Sequence, residues 1–296
     1  MLKEGTKGGK VAEGNTPAEA GFPVMGNLMK GKRGLIMGVA NDHSLAWGIA
    51  RACAAHGAEL AFTYQGEAFG KRVKPLAQSV GSKFLVPCDV QDEQSLKATF
   101  SEIERQWGQL DFVVHAIAYS DKNELKGRYI ETTRANFLNS LDISCYSFTE
   151  VCRKAEPFMR AGSSLITLTY MGAERVVPSY NVMGVAKAAL EASVRYLAVD
   201  LGRQGIRVNA LSAGPMRTIA GSAISNARFM YNWNKGHSAL KRTVTLEEVG
   251  GSALYLLSEL SGGVTGEVHH VDAGYSIVGL PRAEDVRNTS TEGDSG

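Results

Sequence analysis

No stretch of this 296-residue chain is apolar for long enough to cross a bilayer, which argues against a helical membrane protein. The N-terminus also lacks the short apolar core of a secretory signal, so a cytoplasmic protein is expected. An excess of either charge is missing too: 32 basic residues face 30 acidic ones, for a net charge of +2. That balance offers no purchase to nucleic acid or to an anionic membrane surface. Cysteine is scarce, and the four present (Cys53, Cys88, Cys145 and Cys152) show no Cys-x-x-Cys spacing. They read as reduced, buried thiols that form neither a disulfide framework nor a metal site. His269 and His270 are adjacent on an expected strand, where side chains alternate, so they do not converge on a metal either. His115 reads as a strand residue whose ring is satisfied inside the fold.

What is present is a core. At 44% hydrophobic residues the chain can bury one substantial interior. Residues 1–32 are Gly-rich without periodicity and read as a flexible extension; the polar stretch 282–296 reads as a flexible tail. Between them strand-like and helix-like runs alternate. Strands are expected at 34–40, 59–64, 83–88, 112–118, 165–170, 206–213 and 267–271. Helices are expected at 45–56, 67–79, 92–107, as one long element within 133–156, at 179–201 and at 246–258. Short apolar strands alternating with helices predict an α/β fold. The expected form is a single-domain, doubly wound (Rossmann-type) seven-stranded parallel sheet with helices on both faces, over residues 33–281. Residues 219–240 break the rhythm with Ala220, Ala223, Phe229, Met230, Tyr231 and Trp233. They predict a small substrate-binding loop and helix at about 216–240; a subunit contact is the other reading.

In such a sheet ligands gather at the carboxyl ends of the strands. Small or turn-forming residues collect there: Gly38-Val39-Ala40, Asp89-Val90, Ala116-Ile117-Ala118, Thr169-Tyr170 and Ala213-Gly214-Pro215. The familiar G-x-G-x-x-G turn is absent after the first strand. In its place Gly38 allows close backbone approach, Ser44 can cap the next helix, and Gly48 allows tight packing of helix on strand. Also absent is an acid at the end of the second strand. Gln65 stands there with no adjacent cation, which favours NADH over its 2′-phosphorylated counterpart. Asp89 has two open readings, an acceptor for an adenine amino group or an ordinary helix N-terminal acid.

Tyr180 and Lys187 lie seven positions apart, close to two turns at ~100° per residue, so both can face one side of a helix. Tyr170, at the end of the fifth strand, can face the same space. An ammonium near a phenol favours phenolate, which suits an acid meeting a developing oxyanion. An amphipathic helix with an incidental Tyr and Lys is the alternative.

These motifs together resemble the short-chain dehydrogenase/reductase superfamily. Its bacterial NADH-dependent enoyl-[acyl-carrier-protein] reductases are the branch most similar. That branch carries Gly-Val-Ala-(x)3-Ser-(x)3-Gly and Tyr-(x)6-Lys, found here at 38–48 and 180–187. Met171-Gly172-Ala173-Glu174-Arg175, the run 207–218 and Gly266-Glu267-Val268-His269-His270-Val271-Asp272-Ala273-Gly274 are also similar to it. The resemblance extends over about residues 28–281. It implies reduction of a trans-2-enoyl thioester on acyl carrier protein by NADH, in a cytoplasmic homotetramer. By the same resemblance Tyr180 bonds the thioester carbonyl, Lys187 holds the nicotinamide ribose, and Tyr170 helps to position or protonate substrate. Gly38, Ser44 and Leu45 line the pyrophosphate, Gln65 with Asp89 and Val90 the adenosine half, and Ile117 and Met216 the nicotinamide side.

Two departures stand out. Arg228 lies between Ala227 and Phe229 with Ser225 upstream, a thin basic surface for an acidic carrier, leaving Lys235, Lys241 and Arg242 as replacements. Ala118 follows Ile117 where some relatives have Gly, which narrows the space beside the nicotinamide. A carbonyl reductase of the same superfamily usually wants a Ser about a dozen residues before the Tyr. This chain offers Thr167, Thr169 and Tyr170 instead. A nucleotide-binding sensor without catalysis is the third reading.

Overall fold

Apolar β-forming runs make most of the strands, and those near the middle of the sheet are buried along nearly their whole length. In β1 (Arg33–Met37) every residue after Arg33 is buried, as expected of a strand covered on both faces. The computed structural model describes residues 26–216 and 227–280. The expectations placed on 1–25, 217–226 and 281–296, Ala220, Ala223 and Ser225 among them, lie outside the described residues. Next to β1 are β2 (Glu59–Tyr64), then β3 (Phe84–Pro87), and on its other side β4 (Phe112–His115). Beyond β4 follow β5 (Ser164–Thr169), β6 (Arg207–Ala213) and β7 (Val268–Val271). The order β3-β2-β1-β4-β5-β6-β7 is parallel throughout, so the fold is the doubly wound Rossmann-type sheet.

Two separate cores flank this sheet. Helices α1 (Leu45–Ala55) and α2 (Gly66–Ser79) pack on one face; α3 (Glu93–Gln106) packs on the other. Gly48 does not serve the helix-to-strand contact expected of it. A Cβ there would lie 2.8 Å from the Leu246 carbonyl at the start of the last helix, α8 (Leu246–Leu257). A Cβ on Gly250 would in turn lie 2.7 Å from the Gly48 carbonyl. The two glycines thus let α1 and α8 touch backbone to backbone. Helix α8 begins with a capping box: Thr245 accepts from Glu248 N–H, and the Glu248 carboxylate accepts from Thr245 N–H. Its other end is closed by Arg207, buried at the head of β6, which donates to the carbonyls of Leu256 (2.8 Å) and Ser258 (2.9 Å).

Several boundaries differ from expectation. Residues 26–32 belong to the packed fold: Met29 is fully buried, and its N–H donates to His56 O at 2.9 Å. The domain therefore starts before residue 33. Strands β1 and β4 stop at Met37 and His115, so 38–40 and 116–118 are loop. For β1 the cause is Gly38, whose φ of 97° turns the chain out of the sheet. The long helix within 133–156 is two, α4 (Arg134–Leu141) and α5 (Ser147–Ala155), joined by a π turn at Asp142–Tyr146. The turn brings Ser144 and Ser147 to the end of β4. Ser144 Oγ accepts from Tyr119 N–H (3.0 Å), and Ser147 Oγ shares a hydrogen bond with His115 Nε2 (2.8 Å) beside its bond to Ile143 O. Helix α6 (Val182–Gly202) and α7 (Ala227–His237) complete the α-helices among the described residues.

Candidate active site

At the end of β1 the chain makes room for a ligand backbone and for its own. A Cβ on Gly38 would fall 2.1 Å from the Ala116 carbonyl, so the loops after β1 and β4 approach only because residue 38 has no side chain. Ser44 occupies the N-cap position of α1 but does not cap it. Its hydroxyl accepts from the N–H groups of Ala40 and Asn41, both at 3.0 Å, and so shapes the loop before the helix. With no side-chain cap and no acid in the first turn, α1 presents its positive end beside Leu45. This geometry fits a pyrophosphate.

Gln65 and Asp89 meet across the ends of β2 and β3, Gln65 Nε2 donating to Asp89 Oδ2 at 3.0 Å. Asp89 also accepts from Gln91 N–H and so fixes its own turn. The two polar groups expected at an adenosine are therefore brought together, with Val90 partly buried beside them. Ile117 and Met216 are both partly buried, packed against opposite cores of the sheet. Ala118 is exposed next to Ile117.

The third group gathers at the end of β5. Lys187, 5% exposed, donates from Nζ to Leu168 O at 2.7 Å. Burial pushes its ammonium down to about 8, opposed by Cys145 and Glu191. Tyr180, 7% exposed, meets Tyr170 edge to face with ring centroids 5.2 Å apart. The helical spacing argument for Tyr180 fails, because α6 begins only at Val182. Tyr180 sits in the preceding turn between Ser179 (φ 63°) and Asn181 (φ 41°), two non-glycine residues in the left-handed region. Asn181 anchors that turn by donating to Leu125 O (3.2 Å) and Gly127 O (3.3 Å). Burial also raises the Tyr180 phenol, with Tyr170 and then Glu191 adding to it; the Lys187 charge is not among the causes. Tyr180 is held as a neutral donor, and Lys187 is turned to the strand end. Tyr170 is likewise raised by burial, to about 12.

Both threonines that could replace the serine of a carbonyl reductase are engaged. Thr167 is fully buried against His115, and Thr169 donates to Glu191 at 2.6 Å. The His115 ring is bonded at both nitrogens and held neutral by burial, with Lys187 pushing the same way. The site thus lacks the carbonyl-reductase hydroxyl and has Tyr170 facing Tyr180.

Comparison with known proteins gives the family. Residues 38–276 match the family described as Enoyl-(Acyl carrier protein) reductase. The chain belongs to that family. Enoyl-[acyl-carrier-protein] reductase [NADH] 2 of Rhizobium meliloti is 65% identical over 263 residues, covering 89% of this chain and 98% of the relative. The Rickettsia typhi enoyl-[acyl-carrier-protein] reductase [NADH] is 56% identical over 252 residues, 85% of this chain and 97% of its own. A crystal structure of the Anaplasma phagocytophilum reductase in complex with NAD is similar at a TM-score of 0.85 and 62% identity. It covers 87% of this chain and 98% of that one.

In this reductase the described part of the expected substrate segment is α7, with Phe229 and Trp233 exposed and their rings 5.8 Å apart. Arg228, Lys235 and Lys241 are exposed. Arg242 cannot replace a missing rim charge, because it is paired through two nitrogens with Glu248, at 2.8 and 2.6 Å. Among the described residues no His, Cys, Asp or Glu cluster suits a metal. None of their helices is long and apolar enough to cross a membrane. Sequence reading missed Glu191 and Gly172. A Cβ on Gly172 would lie 2.4 Å from the Tyr180 ring. An acid four residues after Lys187, on a helix face otherwise apolar, was the signal for Glu191.

Proposed function

We propose that this enoyl-[acyl-carrier-protein] reductase divides its work between Tyr180, Tyr170 and Lys187. NADH, when bound, supplies the hydride that reduces the trans-2 double bond. As charge develops on the thioester oxygen, Tyr180 donates a hydrogen bond that strengthens with it. A phenol whose ionisation is opposed by burial stays a donor across the neutral range. Tyr170 meets the Tyr180 ring by its edge and helps to set the substrate against it. Lys187 places the nicotinamide ribose. Gly38, Ser44 and Leu45 shape the pyrophosphate seat, Gln65, Asp89 and Val90 the adenosine end, and Ile117 and Met216 the walls beside the nicotinamide. The observation that carries this reading is the buried Tyr180–Tyr170 contact beside Lys187, at the carboxyl end of β5.

The rest of the reading covers assembly and partner. The reductase works as one domain, in the cytoplasm, on an enoyl group delivered by acyl carrier protein, with α7 covering the acyl chain. A homotetramer is supported by the exposed Tyr196 and Val199 on α6, and by Tyr255 and Leu260 near β7. The test follows NADH absorbance with a trans-2-enoyl thioester and with a 3-oxoacyl thioester. Only the enoyl substrate should be turned over. Tyr180→Phe should lower kcat/KM by about 100- to 1,000-fold and leave NADH binding intact. Turnover of the oxo substrate, or full activity in the variant, would overturn the assignment.

A further inference from the structure

Helix α6 grips the end of β5 twice. Lys187 donates to Leu168 O at 2.7 Å, and one turn later Glu191 accepts from Thr169 Oγ1 at 2.6 Å. Glu191 is only 8% exposed, an unusual place for a carboxylate that forms no ion pair with its neighbour. Had Glu191 bonded the ammonium, it would have consumed donors. Lys187 has three, and one goes to Leu168, so the remainder stay available to a ligand.

The other groups around the pair leave Glu191 alone as a counter-charge. Facing Lys187 are Cys145 from the π turn and His115 from β4, with Tyr180 in the turn before α6 facing Glu191. Burial raises both the Tyr180 phenol and the Cys145 thiol, so neither is an anion near neutrality. His115 is held neutral. Facing Glu191 are Thr169 from β5, Glu174 from the turn after it, His270 from β7 and Arg195 from α6 itself. Burial holds its carboxyl above the usual carboxylate range and Glu174 adds to that, while Thr169, His270 and Arg195 act the other way and favour the charge. His270 is in turn drawn to Glu174 at 3.3 Å.

We propose that Glu191 is a positioning residue of the reductase: it ties down the end of β5 through Thr169 and supplies, at a distance, the negative charge that keeps Lys187 cationic with donors free for the cofactor ribose. This rests on the reading of Lys187 as the ribose-binding residue. Glu191→Gln keeps an acceptor for Thr169 and removes only the charge, whereas Thr169→Val removes the bond and with it one support of the Glu191 charge.

The experiment measures NADH affinity by fluorescence from about pH 6 to about pH 10 in the wild type, Glu191→Gln, Glu191→Asp, Thr169→Val and Lys187→Ala. Circular dichroism serves as the check on folding. Wild-type affinity should fall as pH rises through about 8, where Lys187 loses its proton. Glu191→Gln should move that fall to lower pH by about one unit or more. Glu191→Asp should keep the wild-type midpoint, whatever it does to affinity, and Thr169→Val should displace it no further than Glu191→Gln does. A wild-type midpoint in Glu191→Gln, or a displaced one in Glu191→Asp, would overturn the proposal. The aspartate variant decides the matter if the glutamine variant does not fold. Lys187→Ala separates the two ideas: if it binds NADH with the wild-type pH profile, the ribose reading itself is wrong.

Discussion

The two ends of the cleft work by different physics. At the end of β1 the chain acts by omission. Gly38 has no side chain where the Ala116 carbonyl comes close, α1 has no side-chain cap, and the polar groups Gln65 and Asp89 pair near solvent. At the end of β5 it acts by burial. Tyr180, Lys187, Glu191 and His115 are all enclosed, and burial is the leading cause of every shift among them. One end offers a ligand its backbone shape; the other opposes charge on its side chains by excluding water. Changes at the first should therefore cost binding and stability, and changes at the second turnover and pH dependence.

Gly38→Ala attacks the first end most directly. The new methyl would meet the Ala116 carbonyl at 2.1 Å on a residue whose φ is 97°, so both crowding and strain apply. A loss of about 3–5 kcal/mol is expected, with NADH binding abolished in whatever folds. A thermal melt and an NADH titration check it; near-normal values would show that the loops after β1 and β4 can part freely.

The second end should respond in the opposite sense. Gly172→Ala would push on the Tyr180 ring from 2.4 Å and displace the phenol. Turnover should drop about 100-fold while NADH affinity changes little, because misplacing a reacting group by an ångström is enough for that loss. Steady-state rates beside NADH titration decide it, and an equal loss in both quantities would erase the contrast between the two ends.

Burial should also be visible in acid. His115 is pushed down from 6.5 to about 3, chiefly by burial. Between those values the unfolded chain takes a proton that the native ring refuses, so stability falls as pH falls, by about 1.4 kcal/mol per pH unit from this group. Above 6.5 the ring is neutral in both states and contributes no slope. Urea unfolding at stepped pH should therefore be less acid-sensitive in His115→Gln than in the wild type. Parallel curves would remove His115 as the cause.

The smallest effect is expected near solvent. Gln65→Leu removes the bond to Asp89 and should weaken NADH binding by about fivefold, with kcat unchanged. A fall in kcat instead would mean that the adenosine end reaches the chemistry.

The alternation of apolar strands and helices was enough to predict the layered parallel sheet, because the periodicity that buries each element is local. Strand β2 falls at 59–64 as expected. The capping box of α8 stands openly in the sequence as Thr245 and Glu248. Tyr170, Tyr180 and Lys187 were also legible as a group. How they meet was not. Helical spacing put Tyr180 on α6, yet the left-handed residues on either side hold it in the turn before. Ser44 was expected to cap α1 and instead braces the preceding loop, because two backbone donors there reach it. Gly48 was expected to meet a strand and meets another helix, about 200 residues later in the chain. The charge near Lys187 comes from Glu191, whose part depends on which groups are enclosed around it. Local pattern determines which segments become strands and helices. Only the folded chain determines which side chains lose water together, and here that loss sets the chemistry.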